Sequence, residues 1–131
     1  MTPTKQTLFS DEKKGVIGNC LQSCIASLLD LPLEEVPHFT WYMSEWANRL
    51  YMFLDERGYK FNGTRNIKHD GASWLKDFDG INGYIIVGGG SPRGVWNGHA
   101  VIYKGGEPFF DPHPSNDFLT EAQDVYVIEK K

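Results

Sequence analysis

The sequence predicts an α+β fold, with N-terminal helices packed on a small antiparallel β-sheet. Three observations predict it. Apolar residues recur at helical spacing from Cys20 to Asp30, a second stripe of that kind runs from Trp46 to Leu54, and short strand-like runs follow from Tyr84 onward. The 131 residues, 40% of them hydrophobic, suffice for one compact domain spanning 1–131 and leave little room for two.

Residues 1–15 are polar and read as an extended arm. In the first helix Leu21, Cys24, Ile25, Leu28 and Leu29 fall on one face. Asn19 is the expected N-cap, with Gln22 three residues on as its capping-box partner, and Pro32 is expected to stop the helix. A second helix is expected to start between Thr40 and Ser44, burying Trp46, Leu50, Phe53 and Leu54, with Gly58 as its left-handed terminator. A brief helical turn is expected near Ser73–Phe78. Strands follow at Tyr84–Val87, His99–Tyr103, Pro108–Asp111 and Val125–Glu129.

Composition excludes several classes. The 18 aromatic residues (4 Trp, 6 Tyr, 8 Phe) rule out wholesale disorder. No apolar run approaches the ~20 residues of a membrane span, and Met1 to Lys14 does not read as a secretion signal. With two cysteines the expected setting is a reducing cytoplasm and free thiols. The net charge of −4, with its basic residues scattered, disfavours nucleic acid and hints at a basic or neutral partner.

Cys20 carries the chemistry. In the first turn of a helix, free backbone N–H groups and the helix dipole favour a thiolate, and those N–H groups can donate to an oxyanion formed on an attacked carbonyl. Cys24 lies on the apolar face and reads as core. The stretch from Gly98 to Pro112 reads as a hairpin turning at Gly105-Gly106. A two-residue loop would pair Ala100 with Asp111. A three-residue loop, Lys104 to Gly106, places His99 opposite Asp111, with Cβ atoms ~5 Å apart, and is the register expected here. Cys20, His99 and Asp111 then supply nucleophile, general base and orienting group.

Gly18-Asn19-Cys20 opening an apolar helix, Gly98-His99-Ala100-Val101 beginning a strand, and Asp111-Pro112 ending the next resemble the papain-like cysteine peptidase superfamily. Within it they look most like the bacteriocin-leader-processing peptidase domain of peptide exporters. The chain is also similar to small bacterial and phage-encoded proteins carrying the signatures of Cys20 to Leu29, Val36-Pro37-His38-Phe39 and Asp111-Pro112-His113-Pro114. The resemblance implies a papain-like fold and a thiol hydrolase cleaving or modifying an amide bond of a peptide or protein, with a Cys20–His99–Asp111 triad and no cofactor. That superfamily places a Gln shortly before its nucleophile as an oxyanion donor. Here that position is Lys14, with no Gln near it, which leaves Asn19 and Gln22 as auxiliary donors beside the Cys20 N–H. A catalytically weak module that binds a protein partner, such as a phage-encoded modulator of a host protein, is the alternative.

Trp96, Asn97 and His113 flank the triad residues in sequence and are expected near the cleft. His38 reads as a brace between the helices and His69 as a surface residue. Gly88 to Gly94 reads as a mobile loop flanking the cleft, without the Gly-Lys-Ser/Thr ending of a phosphate loop. Trp41, Tyr42 and Trp46 are expected to pack, with Trp41 a candidate substrate wall. A zinc site from Cys20, Cys24, His99 and His113 is the weakest reading, because the two cysteines lie within one regular helix.

Overall fold

The computed structural model describes residues 1–64, 75 and 77–131, and shows an α+β chain with two α-helices and a five-stranded antiparallel sheet. Helix α1 is Cys20–Leu29 and α2 is Trp46–Glu56; the strands are β1 (Tyr59–Thr64), β2 (Tyr84–Gly89), β3 (His99–Lys104), β4 (Glu107–Phe110) and β5 (Ala122–Lys130). Their order across the sheet is β1-β5-β2-β3-β4. Among the described residues no helix is long and apolar enough to cross a membrane.

The two faces of the sheet follow from the period-two pleat. Ile86, Ala100, Ile102, Tyr126 and Ile128 pack against Leu21, Cys24, Ile25 and Leu28 of α1 and against Leu50, Phe53 and Leu54 of α2. Ile85, Val87, Val101, Tyr103 and Val125 build a smaller core on the other face with Leu75. Cys24 is fully buried, its thiol donating to the Ala100 carbonyl at 3.6 Å, so it is core.

Several local expectations are corrected. Asn19 precedes α1 but makes no side-chain cap, because its carboxamide is drawn to the N-terminal arm, and the capping box with Gln22 does not form. The helix ends at Asp30, in the left-handed conformation with its N–H on the Ala26 and Ser27 carbonyls, two residues before Pro32. A 3-10 segment, Phe39–Glu45, leads into α2, which begins at Trp46 rather than within Thr40–Ser44. Gly58 takes φ +82° after α2, as expected. Strand β1 carries no clear apolar alternation, since Lys60, Asn62 and Gly63 interrupt it, and was not expected; it is an edge strand held by β5. The expected Ser73–Phe78 turn lies largely outside the described residues, as does His69; Phe78 donates to the Leu75 carbonyl at 3.2 Å.

The hairpin register also differs. Lys104 pairs with Glu107 across a two-residue turn, Gly105-Gly106, both at positive φ as a type I′ turn requires. The extra residue sits in the strand instead: the register shifts between Tyr103↔Pro108 and Ile102↔Phe110, so β4 bulges. One inserted residue, in loop or bulge, has the same parity, so His99 and Asp111 still share a side of the hairpin, as diagonal rather than directly opposed neighbours.

Gly88 and Gly89, expected in a mobile loop, belong to β2, and Gly90 continues the pairing by exchanging backbone bonds with Thr120 and Glu121. A Cβ on Gly89 would lie 1.9 Å from the Glu121 carbonyl oxygen. Close backbone approach, not mobility, explains that glycine.

Candidate active site

Cys20 is the first residue of α1, and its N–H precedes the intrahelical hydrogen-bond ladder. His38, which joins α1 to the next segment, donates from Nε2 to the Ile17 carbonyl at 2.8 Å and so braces the approach to Cys20. His99 is the first residue of β3 and is buried. Its Nε2 lies 2.6 Å from Asp111 Oδ1, and Asp111, 1% exposed, follows β4 directly.

Asp111 is fixed by more than its histidine. Oδ1 also accepts the His113 N–H at 3.0 Å, and Oδ2 accepts the Phe118 N–H at 2.9 Å. Lys5 Nζ donates to the Asp111 backbone carbonyl at 2.8 Å and to Asn116 Oδ1 at 2.9 Å, which ties the N-terminal arm to this loop. Burial pushes the Asp111 carboxyl upward, but the bonds from His99, Phe118 and His113 outweigh it and hold the pKa below the ordinary aspartate value.

His99 titrates in the opposite sense. Burial disfavours the charged ring, yet the Asp111 bond, then the bond and charge of Cys20, overcome this and raise its pKa from 6.5 to about 9. Nε2 is committed to Asp111, and the ring lines the same two cavities as Cys20. His99 thus contributes stability fully below pH 6.5 and loses it as pH rises through about 9, whereas the Asp111 contribution is present above pH 3.8 and is lost as pH falls below it. Urea unfolding of the wild type should weaken by the order of 3 kcal/mol between pH 6.5 and pH 9.5. His99→Gln should flatten that slope, and equal slopes in the two proteins would refute the assignment.

Two cavities meet at this cluster. The larger, about 390 Å³, is lined by Cys20 and His99 with Trp46, Trp96, Asn97 and Asp124 among others. The smaller, about 170 Å³, is lined by Cys20 and His99 with Gln6, Phe9, Arg93 and His113. Trp96 and Asn97 thus stand on one side of the sulfur and His113 on the other. The His113 ring is 6.2 Å from that of His99 and edge-on to Phe9 at 5.2 Å. Burial, then the Arg93 charge, lowers its pKa below the ordinary histidine value. Trp41 is exposed rather than packed.

Asn19 and Gln22 are not placed as oxyanion donors. Asn19 Nδ2 donates to Thr7 Oγ1 at 3.0 Å and to Gln22 Oε1 at 3.2 Å, while its Oδ1 accepts the Thr7 and Leu8 N–H groups. Gln22 Nε2 donates to the Leu33 and Val36 carbonyls at 3.1 and 2.7 Å. The donors of both amides are spent on holding the arm and the segment after α1.

The side chain that reaches the site instead is Gln6. It is buried, lines the smaller cavity, and gives one N–H to the Leu8 carbonyl at 2.8 Å, while its Oε1 accepts no hydrogen bond. Its backbone N–H donates to the Pro112 carbonyl at 3.0 Å, so the residue is clamped beside Asp111. The sequence signal for it was its being the only glutamine ahead of Cys20.

Comparison with protein-family models, curated proteins and solved structures finds no match for this chain.

Proposed function

We propose that the protein is a papain-like thiol hydrolase that cleaves or modifies an amide bond in a peptide or protein. The observation that carries this reading is the convergence of Cys20, His99 and Asp111 where two cavities meet. Cys20 gives its proton to His99, and its sulfur adds to the substrate carbonyl, forming a C–S bond and an oxyanion. The Cys20 N–H and the second amide N–H of Gln6 are the donors available to that oxyanion. Collapse breaks the C–N bond, and the His99 imidazolium passes its proton to the leaving amine. Water, deprotonated by His99, then hydrolyses the thioester and frees the thiol. Asp111 keeps the imidazole oriented throughout.

Alkylation by iodoacetamide tests this without a substrate. At neutral pH the wild type should be modified at Cys20, about tenfold or more faster than His99→Ala, and Cys20→Ala should leave only the buried Cys24, which reacts slowly. The wild-type advantage should close as pH passes about 9, where His99 loses its proton. Equal rates in wild type and His99→Ala, or prior modification of Cys24, would overturn the proposal.

One feature favours a second reading, a protein-binding module on the same scaffold. Trp41, Tyr42 and Met43 are exposed together next to Thr40, which lines the larger cavity. Slow, His99-independent alkylation together with retention of a bait protein by the wild type but not by Trp41→Ala would favour it.

A further inference from the structure

Asp124 occupies a core-facing position on a central strand. In the pairing of β2 with β5, Gly88 is opposite Asp124 and Ile86 is opposite Tyr126, so Asp124 continues the row of Ile128 and Tyr126 that packs on the helices. Unlike Tyr126 and Ile128, Asp124 is only half-buried, so its carboxylate keeps access to solvent and to the cavity. Among the described residues the Asp124 carboxylate has no ion-pair partner. The sheet tolerates it because the core ends there, and Asp124 lines the larger cavity together with Cys20 and His99.

The surroundings of that carboxylate have the chemistry of a cation site. A Cβ on Gly88 would lie 3.4 Å from Tyr126 Cε2 and 3.8 Å from Asp124 Oδ2, so the missing side chain leaves a slot between ring and carboxylate. Trp46 stands edge-on to Tyr126, ring centres 5.8 Å apart, and also lines the cavity. Aromatic walls beside a carboxylate suit an ammonium or guanidinium group on an apolar stem. No Lys or Arg lines this cavity among the described residues, whereas Arg93 lines the smaller one.

We propose that the larger cavity is the subsite for a cationic side chain, lysine or arginine, of a polypeptide whose reacting amide lies at Cys20. This rests on the thiol-hydrolase reading and names its substrate class.

The charge of the subsite is measurable without turnover. Cys20 attacks the sulfenyl sulfur of a methanethiosulfonate, forming a disulfide and releasing methanesulfinate. Rates are taken for trimethylammonioethyl and sulfonatoethyl methanethiosulfonate, each divided by that of the neutral methyl reagent. The cation-to-anion ratio should fall about three- to tenfold at low salt in Asp124→Asn. It should be kept in Asp124→Glu. An unchanged ratio in Asp124→Asn overturns the subsite.

A peptide library varying Lys, Arg, Gln and Glu near the cleaved bond gives the second arm. Wild type should prefer Lys or Arg, and Asp124→Lys should move the preference to Glu. Cleavage indifferent to these residues overturns the subsite and leaves the hydrolase standing. A falling reagent ratio with no peptide cleaved supports the cation site and counts against the hydrolase.

Discussion

Asp111→Ala is expected to cost about 3–5 kcal/mol of folding stability and, on the proposed chemistry, to slow the alkylation of Cys20. The carboxylate is buried and its oxygens accept three hydrogen bonds, from His99 and from the His113 and Phe118 backbone N–H groups. Truncation strands three donors in a place water reaches poorly, which costs more than the net worth of the bonds themselves. It also strips His99 of the strongest influence raising its pKa, so the imidazolium no longer persists to about pH 9. Asp111→Asn should be intermediate, since its amide keeps one acceptor but turns a second donor toward groups that already donate. Urea unfolding and iodoacetamide kinetics read the two effects separately. Asp117→Ala, exposed and six residues on, should change stability by no more than about 0.5 kcal/mol. A loss below about 1 kcal/mol in Asp111→Ala would mean that the cluster is solvated and does not hold the loop.

The sequence made the Cys20, His99 and Asp111 cluster legible because each member sits where a local rule places it. Cys20 opens an amphipathic helix, His99 opens a strand, and Asp111 ends the next. Even the mistaken loop length left His99 and Asp111 on one side, since a bulge and a longer turn share parity. What was not legible is non-local. The cap on α1 failed because Asn19 serves the arm, a partner that helix periodicity does not reveal. Strand β1 was missed because an edge strand containing Lys60, Asn62 and Gly63 takes its order from β5 rather than from its own pattern. The glycines after Val87 looked like a loop, but Gly89 answers to the Glu121 backbone, more than thirty residues away in sequence.

Gln6 is the sharpest case of that non-locality, and it carries the last prediction. A count along the chain finds Lys14 where a donor glutamine is expected and no glutamine near it. Space reverses this, because the chain between arm and helix folds back on itself: Asp11 and Val16 exchange backbone hydrogen bonds, each at 2.9 Å. The Asn19 N–H then donates to the Leu8 carbonyl, and Asn19 Oδ1 accepts the Thr7 and Leu8 N–H groups, which lays the arm beside Cys20. Gln6 Nε2 gives one of its two N–H groups to the Leu8 carbonyl, which leaves the second to donate into the cavity that the residue lines with Cys20 and His99. On the proposed acyl-transfer chemistry, Gln6→Ala should lower kcat/KM toward an activated ester such as p-nitrophenyl acetate by about 10²–10³. The same variant should alkylate with iodoacetamide within about twofold of wild type, because displacement at a saturated carbon develops no oxyanion. Equal losses in both reactions would make Gln6 a structural support of Cys20, and no loss in either would remove it from the site.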